Sequence, residues 1–418
     1  MLDIVFKQAC IVEGDKVAVR DVGVRGSKIE VVAPAISQQG KYEIDCTGLY
    51  LLPGAIDIHV HLREPGMTNK EDIESGTRAG ALSGVTTCFD MPNTIPPTTT
   101  FERFLEKVAI ARKKAWCNVK FFMALAGDEN LKEIEKASKH EAFAGVKVFL
   151  GSTTACLLSS DIKVLEKAVR ELDVLFAFHS EVESHISNPA DERMDASMHH
   201  ILRPTKAVVE GLRLILELAE KSQARLHVCH VSSKDEVLML KDFRASRLSA
   251  EVTPHHLFFT CEDTKRLGNL LKANPPVRTK EDRDALISAL KEGIFSAIAS
   301  DHAPHLLKEK AMPYDKAPSG VPGLDTIVPF ALRLVQKNVI TVSEAQYLLS
   351  TGPAKIARLH SKGSVLEGFD ADLILCDLKA TWEVKDKDIL SRCGWTPFSS
   401  PLGAKPLKVF IMGNEVSP

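Results

Sequence analysis

From Ala55 onward, short apolar runs alternate with stretches whose apolar residues recur at helical spacing. Eight runs read as strands: "AIDIHVHL" (55–62), "GVTTCFDMP" (84–92), "NVKFFMAL" (118–125), "FAGVKVFLG" (143–151), "VLFAFHSE" (174–181), "ARLHVCHVS" (224–232), "SAEVTPHH" (249–256) and "FSAIASDHAPH" (295–305). Between them lie amphipathic segments such as "NKEDIESGTRAGALSG" and "AVVEGLRLILELAEKS". Eight such units in succession predict an α/β fold, a closed parallel (β/α)8 barrel with its helices outside. Residues 1–50 read instead as short strands and turns, and strand texture returns at "GFDADLILCDLKATWEV" and "PLKVFIMGNEV". The simplest organisation pairs residues 1–50 with 363–418 as one small β domain beside a catalytic barrel over 51–362.

Composition narrows the class. The 418 residues are 44% hydrophobic and 26% charged, a globular composition with material for a sizeable core. Lys plus Arg (53) nearly balance Asp plus Glu (55), so no strong field attracts nucleic acid or an anionic membrane. Nine scattered cysteines without a CxxC pair fit reduced thiols, hence a cytoplasmic protein. The N-terminal stretch is broken by charge, so no signal peptide is expected, and no run approaches the ~20 apolar residues of a bilayer span.

Every strand's distinctive polar residues sit at its C-terminal end: His59 and His61, Asn93, Lys147, His179, His230 and Asp301. Barrel enzymes build their sites on that face. Strand side chains alternate, so His59 and His61 share one side and Ile58, Val60 and Leu62 the other. If the apolar set meets the outer helices, both imidazoles face the barrel mouth. His179, His230 and Asp301 add imidazole and carboxylate donors suited to zinc and similar divalent ions. Five donors exceed one open catalytic site and suit two ions, provided something bridges them. Lys147 can do so. Burial disfavours its charge, and a neutral amine can add carbon dioxide to become a bidentate carbamate.

The other histidines read more plainly. His140, His185 and His360 are assigned to the surface or to helices. His199 and His200 fall in a polar loop region without a visible partner. His227, of opposite parity to His230, should face away from the mouth. His255 and His256 end the seventh strand, where either could support the site from behind. His302 reads as structural.

Together these residues resemble the cyclic amidohydrolases, and among them the dihydroorotase family. The likeness rests on "HVHLREPG" (59–66), "MPNT" (91–94), "EVTPHHL" (251–257), "NPPVR" (274–278) and "SDHAPH" (300–305), with "GSVLEGFDADLILCDL" near the end. Allantoinases typically carry asparagine at the position of Arg63, which makes that residue the discriminating one. Many dihydroorotases of comparable length place aspartate at the fourth strand; this chain has the lysine of "GVKVFLG", as other branches and allantoinases do.

The resemblance implies a TIM-like metal-dependent hydrolase barrel with two divalent ions, zinc by preference. His59, His61, Lys147 and Asp301 would hold one, and carbamylated Lys147, His179 and His230 the other. Arg63, Asn93 and His305 would bind the substrate carboxylate, and Asn274, Ser319 and Gly320 the ring. The implied reaction is the reversible cyclisation of N-carbamoyl-L-aspartate to L-dihydroorotate and water in pyrimidine biosynthesis. A hydroxide between the ions would attack, with Asp301 as general acid and base. Arg63 can grip a carboxylate with two parallel hydrogen bonds; its plain alternative is a surface ion pair with Glu64 or Asp72. The Pro- and Gly-containing stretch 306–323 is expected to be a loop at the mouth that could close over the ligand. The family's habits also imply a homodimer and an association with aspartate carbamoyltransferase. Two alternatives stand: an allantoinase or hydantoinase with a different ring, and a catalytically silent homologue serving as a partner protein.

Overall fold

The computed structural model describes the chain apart from residues 152–160, 188–193, 244–246, 400 and 418. Five strands come first: β1 (Leu2–Glu13), β2 (Lys16–Arg25), β3 (Lys28–Ala33), β4 (Gly40–Asp45) and β5 (Tyr50–Pro53). Eight more follow: β6 (Ala55–Val60), β7 (Val85–Asp90), β8 (Asn118–Ala124), β9 (Phe143–Phe149), β10 (Leu175–His179), β11 (Arg225–Val228), β12 (Leu248–Val252) and β13 (Ala297–Ile298). The last five are β14 (Leu373–Cys376), β15 (Thr381–Trp382), β16 (Leu402–Gly403), β17 (Lys408–Ile411) and β18 (Asn414–Glu415).

Strands β6 to β13 lie side by side in chain order and pair in parallel. Each is covered on both faces, as parallel strands require. Val60, Phe121, Val146, Val148, Phe176, Phe178 and Val252 face outward and join the helices in the main core. Ile56, Ile58, Phe89, Phe122, Leu175, Ala177 and Ala297 point inward and fill the lumen. Side chains and one bridging residue close the ring between its first and last strands. Val60 and His302 form a parallel bridge, His61 N donates to His302 O at 2.8 Å, and Ser300 N donates to Asp57 Oδ1 at 3.1 Å. The expected (β/α)8 barrel is therefore present and nearly closed.

Three of the predicted strands end early, the sixth of the eight at Val228, short of His230. Thr253 accepts a hydrogen bond from His256 N at 3.3 Å and caps the helix Pro254–Phe258, with proline at its start. An N-cap threonine followed by proline begins a helix, so His255 and His256 stand on helix rather than strand. In 295–305 only Ala297–Ile298 is strand; at Asp301 the backbone turns left-handed (φ 45°), and His302 bridges both Val60 and Val321.

A second eight-stranded sheet takes strands from both chain ends, in the order β18-β17-β14-β5-β1-β2-β3, with β4 pairing to β1. Its core is Phe6, Ile11, Val22, Val24, Leu51, Leu373 and Phe410. Strand β5 passes directly into the barrel strand β6 across Gly54, where a Cβ would lie 2.2 Å from Thr86 Cγ2; the crossing therefore needs glycine. Thr381–Trp382 pairs with Leu402–Gly403 outside that sheet, and Phe398 packs on Phe258, Phe259 and Phe330 of the barrel layer. Among the described residues no helix is long and apolar enough to cross a membrane, and no disulfide is present; Cys156 lies outside them.

Candidate metal centre and active site

The predicted donors converge. Asp301 Oδ1 lies 3.3 Å from His59 Nε2 and 3.1 Å from His61 Nε2. Lys147 Nζ lies 3.4 Å from His59 Nε2, and His179 Nδ1 lies 3.1 Å from His230 Nε2. The His59 and His230 rings bring the two groups together, centroid to centroid at 5.2 Å. Donors around one tetrahedral zinc, bonded at ~2.0–2.2 Å, stand roughly 3.3–3.6 Å apart. The observed separations have that scale, so these residues fit divalent ions.

Their electrostatics point the same way. Burial keeps His61, His179 and His230 below the ordinary imidazole value, His61 at about 3. They are neutral at pH 7, the form that donates a lone pair to a metal. Burial and the Lys147 ammonium oppose charge on His59, yet Glu251 and Asp301 outweigh them and lift it to about 10. Asp301 is held well below the usual carboxylate range, against the cost of burial, by His59 and His61. A proton thus sits on His59 where a cation would otherwise satisfy the carboxylates, and metal binding would displace it.

Lys147 is 1% exposed, and among the described residues no carboxylate lies within ion-pair distance of it. Its Nζ meets Cys229 Sγ at 3.0 Å and faces the Phe149 ring at 5.5 Å. Snorkelling to solvent, the plain alternative for a lysine here, is not what the side chain does.

The alternation argument needs correcting at two residues. Val60 and Leu62 do meet the helices, but Ile58 lies in the lumen with Ile56 and Phe89. The β6–β7 register shifts between Asp57 and Val60, and that irregularity turns the strand so that His59 still reaches the mouth. His227 is a second correction. Expected to face away, it sits in the lumen, its Nδ1 2.8 Å from Ser249 Oγ and its Nε2 2.9 Å from Glu251 Oε2. His230 lies beyond the end of β11 with φ 37°, so parity counted from it fails.

Glu251 was missed altogether. It is fully buried, meets His59 Nδ1 at 2.5 Å and accepts from His230 N at 3.2 Å. It therefore fixes the tautomer and direction of one donor and the backbone of another. Its only signal was a carboxylate inside an apolar strand. Arg203 was missed too: it lines the cavity and holds Glu181 through Nε (3.0 Å) and Nη2 (2.7 Å), while Glu181 Oε2 lies 3.2 Å from His179 Nε2.

The donors open into a cavity of about 230 Å³. Its wall includes every predicted site residue except His305, which stands directly behind. Arg63, 2% exposed, adopts φ 62° just past the metal histidines. Its Nη2 lies 3.2 Å from His305 Nε2, and its Nε donates to Pro304 O at 3.4 Å. The suspected surface pairs are otherwise engaged, Glu64 with Lys114 (2.8 Å) and Asp72 with Arg392 (2.5 Å). Among the described residues no carboxylate lies within ion-pair distance of Arg63, and burial lowers its guanidinium to about 10. Asn93 accepts from His61 Nδ1 at 2.7 Å, leaving only its amide hydrogens for a ligand. Burial and the cations Arg63 and Lys70 hold His305 neutral, with Nε2 donating to Ser319 O at 3.0 Å.

Remaining histidines fall into place. His199, expected without a partner, is buried on a short helix and joins Tyr314 OH (2.7 Å) to Asn274 Oδ1 (3.0 Å). His256 spans Thr253 Oγ1 and Pro275 O, behind the Asn274 turn. His302 Nδ1 accepts from Gly323 N at 3.1 Å, the structural part expected of it. His140, half-buried, edges onto Phe104. Stretch 306–323 carries one short helix, Leu307–Lys310, and is otherwise irregular.

A (β/α)8 barrel whose strand ends gather histidines, a lysine and an aspartate around one cavity defines a class of metal-dependent hydrolases. Residues 50–416 match the amidohydrolase family, and the chain belongs to it. Its curated relatives include dihydroorotases. The chain is 35% identical over 371 residues to the dihydroorotase of Methanosarcina acetivorans, covering 85% of this chain and 79% of that one. It is 32% identical over 416 residues to that of Halobacterium salinarum, covering 99% and 96%. Among solved structures it superposes on the L-hydantoinase (dihydropyrimidinase) of Arthrobacter aurescens with a TM-score of 0.94 and 26% identity, covering 100% and 96%.

Proposed function

We propose that this enzyme is a dihydroorotase, interconverting N-carbamoyl-L-aspartate and L-dihydroorotate plus water. The observation that carries the reading is Arg63: a buried guanidinium with no carboxylate partner among the described residues, facing the same cavity as the metal donors. Burying a lone cation is costly unless an anion completes it. A ring bearing a carboxylate would complete it; a neutral hydantoin would not.

His59, His61, Lys147 and Asp301 would hold one divalent ion, and Lys147, His179 and His230 a second. Lys147 would join both sets as a carbamate: its ammonium gives up a proton, and the free amine adds carbon dioxide, forming an N–C bond and releasing a second proton. Two such ions, zinc by preference, would acidify a water molecule and polarise the amide carbonyl. The side chains do the rest. Arg63 grips the unreactive carboxylate through two N–H donors, and Asn93 adds an amide hydrogen. His305, neutral, accepts from Lys70 at Nδ1 and donates to the Ser319 carbonyl from Nε2, while Asn274, Ser319 and Gly320 border the ring. In hydrolysis, the Asp301 carboxylate takes a proton from the attacking water and delivers it to the departing ring nitrogen; cyclisation runs these transfers backward.

In this reading residues 1–50 and 363–418 form one small β domain on a 51–362 barrel, and the enzyme works in the cytoplasm as a homodimer. Association with aspartate carbamoyltransferase would pass it the linear substrate. The likeness to a hydantoinase structure favours a second reading, the same metals with another ring. Purified zinc-loaded protein assayed with dihydroorotate, allantoin and dihydrouracil separates the two. Turnover of dihydroorotate is expected, and turnover of either other ring without it would defeat the proposal. Protein that takes up no divalent ion would favour a silent partner instead.

A further inference from the structure

The stretch Ser391–Trp395 follows the second sheet's β14 in the chain, yet it reaches the barrel mouth and touches the loops around Arg63. Trp395 is 1% exposed, and its Nε1 donates to His305 O at 2.7 Å. The face of its ring lies 5.8 Å from Lys310 Nζ, which donates to Pro318 O (3.0 Å) and Gly320 O (2.9 Å). Ser391 Oγ donates to Glu71, and Arg392 N meets the same carboxylate at 3.2 Å. The Arg392 side chain pairs with Asp72 at 2.5 Å and donates to Thr68 O at 2.7 Å. One segment thus ties two others directly, 68–72, which follows Arg63, and 302–310, which carries His305, and through Lys310 it backs 318–320 at the ring-binding edge. Among the described residues it makes no hydrogen bond to a candidate metal ligand.

We propose that Trp395, with Ser391 and Arg392, positions the carboxylate-binding subsite and leaves the metal centre to contacts within the barrel. The division follows from how each part is held. His59, Lys147 and His179 stand on strands, and His61, His230 and Asp301, just past strand ends, are held by contacts within the barrel: His61 N to His302 O, His230 N to Glu251 and Ser300 N to Asp57. Arg63 and His305 stand on loops that the 391–395 segment tethers from outside the barrel. Binding groups must be held within about 0.5 Å to work, and a 1 Å displacement can cost about a hundredfold. Slack in these tethers therefore weakens the grip on a carboxylate and spares the chemistry at the amide.

This inference rests on the reading of Arg63 as the carboxylate grip. The test compares wild type, Trp395→Phe and Arg392→Gln, all zinc-loaded, with L-dihydroorotate and with its methyl ester, the same ring without the charge. Trp395→Phe keeps most of the packing and removes the Nε1 donor. Expected are an unchanged zinc content, kcat within twofold, and a KM for dihydroorotate raised at least fivefold, with kcat/KM for the ester changed less than twofold. Equal losses on acid and ester, loss of zinc, or an unmoved KM in both variants would overturn it. Should Trp395→Phe fail to fold, Arg392→Gln, at a more exposed side chain, decides alone. A wild type inert to dihydroorotate sinks the functional reading and this inference together; an active wild type with indifferent variants sinks the inference only.

Discussion

Arg63 sets stability against function, and replacing it with methionine should move the two in opposite directions. The guanidinium falls from 12.5 to about 10 in the folded protein, chiefly because burial disfavours its charge. A cation whose pKa is lower folded than unfolded destabilises the fold at neutral pH; here the penalty is about 3 kcal/mol. Methionine removes the charge at similar length but gives up the hydrogen bond to Pro304 O, worth about 1 kcal/mol. About 2 kcal/mol of net stabilisation remains. With an unfolding entropy of about 0.9 kcal/mol/K for a chain of this length, the melting temperature should rise by roughly 2 °C. Activity should go the other way, because truncating one partner of a buried charged pair costs about 2–5 kcal/mol, or thirtyfold to several thousandfold in kcat/KM. Calorimetry of chelator-treated protein and steady-state kinetics of the zinc-loaded form read the two effects. A lowered melting temperature, or kcat/KM within tenfold of wild type, would refute this account of Arg63.

The remaining predictions concern the centre and its supports. Lys147→Ala should lose metal and most activity, with partial recovery in short carboxylic acids that can stand in for a carbamate; undiminished turnover would rule out a bridging role. Glu251→Gln should keep the fold and weaken metal binding about 10–100-fold by freeing the His59 tautomer, measured by competition with a chromogenic chelator. His256 is held at about 4 by burial, so the native state stays neutral while the unfolded chain takes up a proton near 6.5. Stability is therefore lost as pH falls from 6.5 towards 4, by at most about 3 kcal/mol. Urea midpoints of chelated protein should converge between wild type and His256→Gln as pH is lowered; parallel curves would assign the acid sensitivity elsewhere.

Periodicity and chemistry along the chain determined much of this protein. Eight apolar runs separated by amphipathic stretches admit few arrangements besides a parallel barrel, because each strand must bury both faces. With the barrel came the expectation that polar residues at the C-terminal strand ends would share one rim, and His59, His61, Lys147, His179, His230 and Asp301 do line one cavity. Alternation proved less dependable. It failed at Ile58, where the register shifts, and at His227, judged from a His230 lying past its strand's end in a left-handed turn.

Tertiary structure alone decided what stands behind those donors. Glu251 looks like any acid in a strand until the closed ring brings it against His59 from 192 residues away. The hydrogen bond from Trp395 to His305 spans 90 residues between segments without regular structure. Local pattern reports which face of an element is apolar, because that depends on near neighbours. Which distant carboxylate steadies an imidazole, and whether a buried arginine meets one at all, depends on how separate segments pack, and no spacing along the chain records it.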